Sequence, residues 1–184
     1  MQNLDLLPDN LPIPIDDGAC RHLLGNKLPS ILLPATNGTA VDLSKLTGWL
    51  VVYCYPMTGE PNIALPNGWN NIPGARGCTP QSCAFRDHYQ ELVKLAQVFS
   101  LSTQSTQYQQ EAAARLHLPF QLLSDFNLEF TNALKLPTFT VNSMRLNKRL
   151  TLLALDSVIK HCFYPVFPPD KNAEEVLDWL QQHV

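Results

Sequence analysis

Two cysteines five residues apart, Cys78 and Cys83 in GCTPQSCAFRD, are the side chains of this chain best placed to do chemistry. Cysteine attacks as its thiolate, and the start of a helix favours that form through unpaired N–H groups and the helix dipole. The stretch reads as such a start. Thr79 fits an N-cap, and Pro80 falls in the first turn, where proline is tolerated. Gly77 leaves open space beside Cys78, and Arg76 and Arg86 add positive charge. Arg86 lies about two turns along the same helix face. The plainer alternative makes Cys78 a buried helix-start residue without chemistry and Cys83 an inert neighbour. The long irregular loop before Cys78 and the second thiol after it weigh against that.

Helix geometry constrains how the two thiols could meet. Five residues of helix rise about 7.5 Å and turn about 140°. A disulfide needs Cα atoms closer than about 7 Å. Cys78 and Cys83 therefore cannot bond within an intact helix, so a reaction between them requires the first turns to unwind. Pro80 and the polar residues around it lower the cost of that opening. A metal reading through Cys78, Cys83 and His88 fails, because evenly spaced helical positions do not converge on one ion and structural zinc uses closer cysteine pairs.

The surrounding elements read as a scaffold for this helix. The apolar run Trp49 to Tyr55, ended by Pro56, fits a central strand covered on both faces. A long loop from Met57 to Gly77 follows, rich in glycine and proline, of the kind that is usually functional or mobile. Phe85, Tyr89, Leu92, Val93 and Ala96 recur at helical spacing and predict a buried stripe. Upstream, Asn37-Gly38 predicts a hairpin between Ser30–Leu33 and Ala40–Asp42, followed by a turn of helix at Ser44–Leu46. Downstream, strands are expected at 98–103, 120–125, 138–142 and 149–156, and helices at 106–116, 128–134 and 173–183. Residues 143–147 read as a turn and the HCFYPVFPP stretch as irregular. Residues 1–27 read as an N-terminal leader with a short helix near Cys20 to Leu24. The alternation predicts one α/β domain over residues 1–184, a mixed sheet with helices on both faces.

Composition narrows the partners. The 184 residues are 45% apolar, with 13 basic and 16 acidic residues giving a net charge of −3. That balance gives no reason to expect nucleic acid or a membrane surface as partner. The start carries neither early positive charge nor a long apolar run, so a secretory signal is not expected. Five cysteines make an odd count for a disulfide scaffold. Cys20, Cys54 and Cys162 read as small apolar residues, and the usage fits a reducing cytoplasm with one special pair.

From residue 28 to the terminal helix, the chain resembles thiol peroxidases of the peroxiredoxin family, above all the bacterioferritin comigratory protein or peroxiredoxin Q branch. The resemblance rests on Tyr55-Pro56 after the core strand and on Gly77-Cys78-Thr79 through Cys83, Phe85, Arg86 and Asp87. It implies a thioredoxin-like fold, in agreement with the element order. It implies Cys78 as the peroxidatic cysteine, attacking hydrogen peroxide or an organic hydroperoxide to give a sulfenic acid. It implies Cys83 as the resolving cysteine, forming an intramolecular disulfide that thioredoxin or a similar dithiol protein reduces. No cofactor or metal is implied, and the protein is expected as a monomer or weak homodimer.

The chain also departs from the family pattern. Asn71 and Ala75 stand where the family has a proline and a Thr or Ser, so Thr58 and Thr79 become candidates for the active-site hydroxyl. The family's arginine, two residues before a strand-opening Thr-Phe, matches Leu136 in LKLPTF. Arg76, Arg86, Arg145 and Arg149 are the candidate replacements, with Arg149 attractive because it opens a strand. Pro137 falls where thioredoxins carry a cis-proline, so a cis bond is expected there. Trp69 could wall the thiolate, dock a partner or fill a core gap. The missing hydroxyl and arginine keep two other readings open: a thiol-disulfide oxidoreductase acting on proteins, and a non-enzymatic redox-sensing or binding protein.

Overall fold

The computed structural model describes residue 4 and residues 6–184; residues 1–3 and 5 of the expected leader lie outside the described residues. Its centre is β3 (Trp49–Cys54). Alternate side chains of a strand point to opposite faces. Leu50, Val52 and Cys54 enter one apolar layer, and Val51, Tyr53 and Tyr55 the other. Covered on both faces, β3 reads as a continuous apolar run rather than an alternating one. β3 pairs in parallel with β4 (Gln97–Ser102) and antiparallel with β8 (Leu150–Leu155). β5 (Gln121–Ser124) and β9 (Val158–Phe163) complete a five-stranded sheet in the order β5-β4-β3-β8-β9.

Helices cover both faces. On the Val51–Tyr53 side lie α1 (Cys78–Asp87), α2 (Tyr89–Leu92) and the terminal α5 (Asn172–His183), contributing Phe85, Leu92, Val176 and Leu180. On the Leu50–Val52 side lies α4 (Glu129–Leu134), with Phe130, beside the hairpin β1 (Leu32–Pro34) and β2 (Ala40–Asp42). α3 (Thr106–Arg115), capped by the Ser105 hydroxyl, packs against β5. This is a thioredoxin-like α/β fold, as the element order indicated. Among the described residues no helix is long and apolar enough to cross a membrane.

Several local expectations need correction. The helix expected through Ala96 is broken at His88, which ends α1 and begins α2. The break rotates the stripe, so Phe85, Leu92 and Ala96 are buried but Val93 is exposed. The short helix near Cys20 is a series of turns, with Leu23 N–H donating to Cys20 O. The turn at 143–147 contains a strand, β7 (Met144–Asn147), paired with β6 (Thr138–Val141) in a hairpin separate from the main sheet. Part of the stretch read as irregular, His161 to Phe163, belongs to edge strand β9. Leu136–Pro137 is not cis; the cis peptide bonds among the described residues precede Pro165 and Pro168. Trans is the lower-energy isomer of an X-Pro bond, and here Pro137 simply leads into β6, its carbonyl accepting from Lys148 N–H.

Candidate active site

α1 delivers Cys78 to the edge of the Tyr53 layer. Tyr53 holds the helix there, its ring stacked on Phe85 at 4.3 Å and its hydroxyl donating to Ser82 Oγ at 3.1 Å. The helix begins at Cys78, ahead of the expected start at Thr79 or Pro80, and its cap is Gly77 rather than Thr79. Gly77 has φ +107°, a backbone conformation that only glycine adopts readily. A Cβ there would collide with Pro169 Cγ and lie 2.8 Å from Leu7 Cδ2. Thr79 is buried within the first turn instead. Close packing of 168–171 and the leader on this corner therefore requires glycine directly before Cys78.

Cys78 is 3% exposed, and so is Arg149. Arg149 Nη2 lies 3.2 Å from Cys78 Sγ, while the Cys78 thiol donates to Ala75 O at 3.6 Å. The same Nη2 faces the carbonyls of Gly74, Ala75 and Arg76, each at 3.2 Å, and so gathers the end of the loop around its charge. Nη1 donates to Gln81 Oε1. Gln81 Nε2 donates onward to Asn172 Oδ1 at 3.0 Å, which also accepts from Thr151 Oγ1 at 2.6 Å. Every member of this chain is buried. It ties the first turn of α1 to β8 and to the start of α5, fixing the guanidinium against the sulfur. Burial pushes the Tyr53 and Tyr55 phenols well up, so both stay neutral beside the thiol.

The remaining sequence candidates are dispersed. Thr58 is buried, but its N–H and hydroxyl both engage Gln104 Oε1, at 3.0 and 3.2 Å. Arg76 turns toward the leader, donating to Leu6 O at 3.3 Å. Arg86 pairs with Asp87 and donates to Leu116 O at the end of α3. Arg145 braces the β6–β7 hairpin through Thr138 and Asn132. Trp69 is buried against Met57, Ala75 and Leu146, with its ring 6.1 Å from Phe139, so the Met57–Gly77 loop owns a small core. It packs the loop and is not part of the apolar layer that holds Cys78. Cys83 is half-buried in the second turn of α1, and no disulfide joins it to Cys78. Leu136 is core, and the Thr138-Phe139 that follows it opens the separate hairpin. The arginine-x-threonine spacing sought there occurs instead at Arg149-Leu150-Thr151, where β8 enters the main sheet beside β3. Gln81 and Asn172 were missed, because a polar side chain inside an otherwise ordinary helix gives no sign of burial.

A groove of about 440 Å³ lies behind Arg149. Ile13 to Ile15 of the leader, Ile72 to Gly74 of the loop and Tyr164 to Val166 form its walls.

A five-stranded mixed sheet with a buried cysteine at a helix start, facing an arginine at the entry to β8, defines a protein of thioredoxin-like fold with a buried thiol site. The redoxin family model matches residues 23–177. Peroxiredoxin Q, chloroplastic, of Oryza sativa subsp. japonica is 30% identical over 159 residues, 85% of this chain. The peroxiredoxin Q of Sedum lineare is 30% identical over the same length, covering 77% of that protein. The chain spans 66% of the rice relative. Peroxidoxin BcpB of Mycobacterium tuberculosis superposes with a TM-score of 0.71 at 23% identity, covering 88% of this chain and 97% of that one, which shows the shared fold. This chain belongs to the redoxin family, in its peroxiredoxin Q and bacterioferritin comigratory branch.

Proposed function

We propose that this protein is a thiol-dependent peroxidase in which Cys78 attacks hydroperoxides and Cys83 resolves the product. The observation that carries the reading is the Arg149 guanidinium 3.2 Å from the Cys78 sulfur at the start of α1. In the first step the Cys78 thiolate displaces alkoxide or hydroxide from the peroxide O–O bond. Sulfur becomes a sulfenic acid, and the leaving oxygen takes a proton to become an alcohol or water. Negative charge spreads over sulfur and two oxygens in this displacement, and Arg149 is held where it faces that charge without reorganising. The Gln81–Asn172–Thr151 chain acts as positioning machinery for the guanidinium.

In the second step Cys83 attacks the Cys78 sulfur and expels water, leaving a disulfide. α1 is helical from Cys78 through Cys83, so its first turns must open first. Opening releases the Gln81 and Arg149 contacts along with the helix. A dithiol protein such as thioredoxin then returns both thiols by exchange, a cycle suited to a reducing compartment such as the cytoplasm. Both cysteines lie on one helix, so the cycle needs one chain only. Arg149 answers one of the two grounds for a protein-disulfide oxidoreductase, the missing arginine; the missing hydroxyl is the other, and comparing Cys78 oxidation by peroxide and by a model disulfide separates the two readings.

Peroxide consumption coupled to a dithiol reductant should vanish in Cys78→Ser; full turnover in that variant refutes the assignment. Cys83→Ser should be oxidised once at the normal rate and recycle poorly. Wild-type recycling in Cys83→Ser would remove the resolving role while leaving Cys78 intact.

A further inference from the structure

A second pair of thiols lies outside this site. Cys20, in the turns of the leader, and Cys162, on edge strand β9, have sulfurs close to disulfide distance. Their juxtaposition is built from both sides. On one side the end of the leader and Leu28 after it zip onto the start of β9: Gly25 N–H donates to Ile159 O at 2.9 Å, Ile159 N–H to Asn26 O at 2.9 Å, and Leu28 N–H to Ser157 O at 2.8 Å. Running back from Gly25, the leader follows β9 forward. On the other side Tyr164 OH donates to Asp17 Oδ1 at 2.8 Å, and Lys148 Nζ to Asp17 Oδ2 at 2.7 Å. Cys20 and Cys162 sit between these two clamps. Both face the apolar layer that also contains Leu152, the β8 partner of Cys162.

We infer that Cys20 and Cys162 form a second redox-active dithiol, separate from Cys78 and Cys83, whose disulfide staples the leader to β9. Cys162 is the more exposed thiol and attacks first. Cys20, buried beside it, is placed to take the second step. With a low-molecular-weight disulfide as oxidant, the Cys162 thiolate breaks its S–S bond, forming a mixed disulfide and releasing one thiol. Cys20, losing its proton, then attacks the Cys162 sulfur and releases the second. Two protein thiols are oxidised, one small disulfide is reduced to two thiols, and the protons end on the released thiols. The crosslink spans two residues that the clamps already hold together, so native geometry need not change. It also fixes Asp17 and the Ile13–Ile15 wall of the groove behind Arg149.

The test uses the full chain carrying Cys78→Ser and Cys83→Ser, equilibrated natively with graded ratios of oxidised to reduced glutathione. Remaining thiols are capped and disulfide-linked peptides mapped. A Cys20–Cys162 peptide should appear at oxidising ratios, disappear on adding dithiothreitol, and be absent when Cys162→Ser is added. The crosslinked protein should unfold at a higher temperature than the reduced one. The same mapping on wild-type protein gives the answer if the double variant folds poorly, because the two pairs lie on different peptides. Both thiols staying cappable at every ratio overturns the inference. So does a glutathione adduct on Cys162 that never resolves, or pairing of Cys162 with buried Cys54. No readout involves peroxide turnover, so failure here leaves the Cys78 reading untouched.

Discussion

Arg149 is the residue on which the proposed chemistry turns. Its guanidinium touches the thiol, three loop carbonyls and Gln81 at once, so charge and geometry are inseparable. Arg149→Met should slow Cys78 oxidation by about 10²–10³-fold, as losing a positioned donor to a developing charge does elsewhere. Arg149→Lys keeps the charge but lacks the planar fork that reaches Cys78 and Gln81 together, so it should restore only part of the rate. Stopped-flow oxidation by hydrogen peroxide, with circular dichroism to check that α1 is intact, measures both. An Arg149→Met protein that folds and reacts within a few-fold of wild type would exclude this arginine from the site. Cys78 and Cys83 were legible in the sequence because a helix start and a five-residue spacing are local facts. Arg149 lies 71 residues from Cys78, so contact between them could only be guessed from its place at a strand opening.

At the scale of elements, the junction between loop and α1 is the most constrained point. Gly77 combines a left-handed backbone with close packing against Pro169 and Leu7. Gly77→Ala should therefore destabilise the protein by about 2–4 kcal/mol, adding backbone strain to overpacking. The urea midpoint measures it, and a shift worth less than about 0.5 kcal/mol would mean that this corner repacks freely. The main strands and helices were legible because their apolar runs and helical spacing are strong. β7 and part of β9 were not. Met144–Asn147 is short and follows two residues with positive φ, Asn142 and Ser143, which reads as a turn. β9 is an edge strand whose Lys160 is exposed and whose end runs into prolines, so its pattern resembles a loop.

At the scale of the whole molecule, the leader is an integral wall. Cys20 and Leu23 are core residues, and Asp17 ties the segment to Lys148, the neighbour of Arg149. The Lys148 hydrogen bond, aided by that of Tyr164, lowers the Asp17 pKa from 3.8 to about 2. A folded-state pKa below the unfolded value means the tie contributes stability above the unfolded value. The contribution is lost as pH falls from about 4 through about 2. In an NMR titration the Asp17 carboxyl should show a midpoint near 2, and Lys148→Met should move it toward 3.8. An ordinary midpoint in the wild type would mean that the anchor does not persist in solution.

By itself the sequence determined the core strand, the helix bearing both cysteines and the unwinding that their union demands. Each depends on steric rules acting over a few residues. Tertiary structure alone decided that Arg149 faces the thiol, that Thr58, Arg76 and Arg86 serve other contacts, and that Cys20 meets Cys162. These depend on strand order and register, which bring distant segments together only when the apolar layers on both faces of β3 close. A local pattern can place a reactive atom, but its charged partner arrives through the packing of the whole chain.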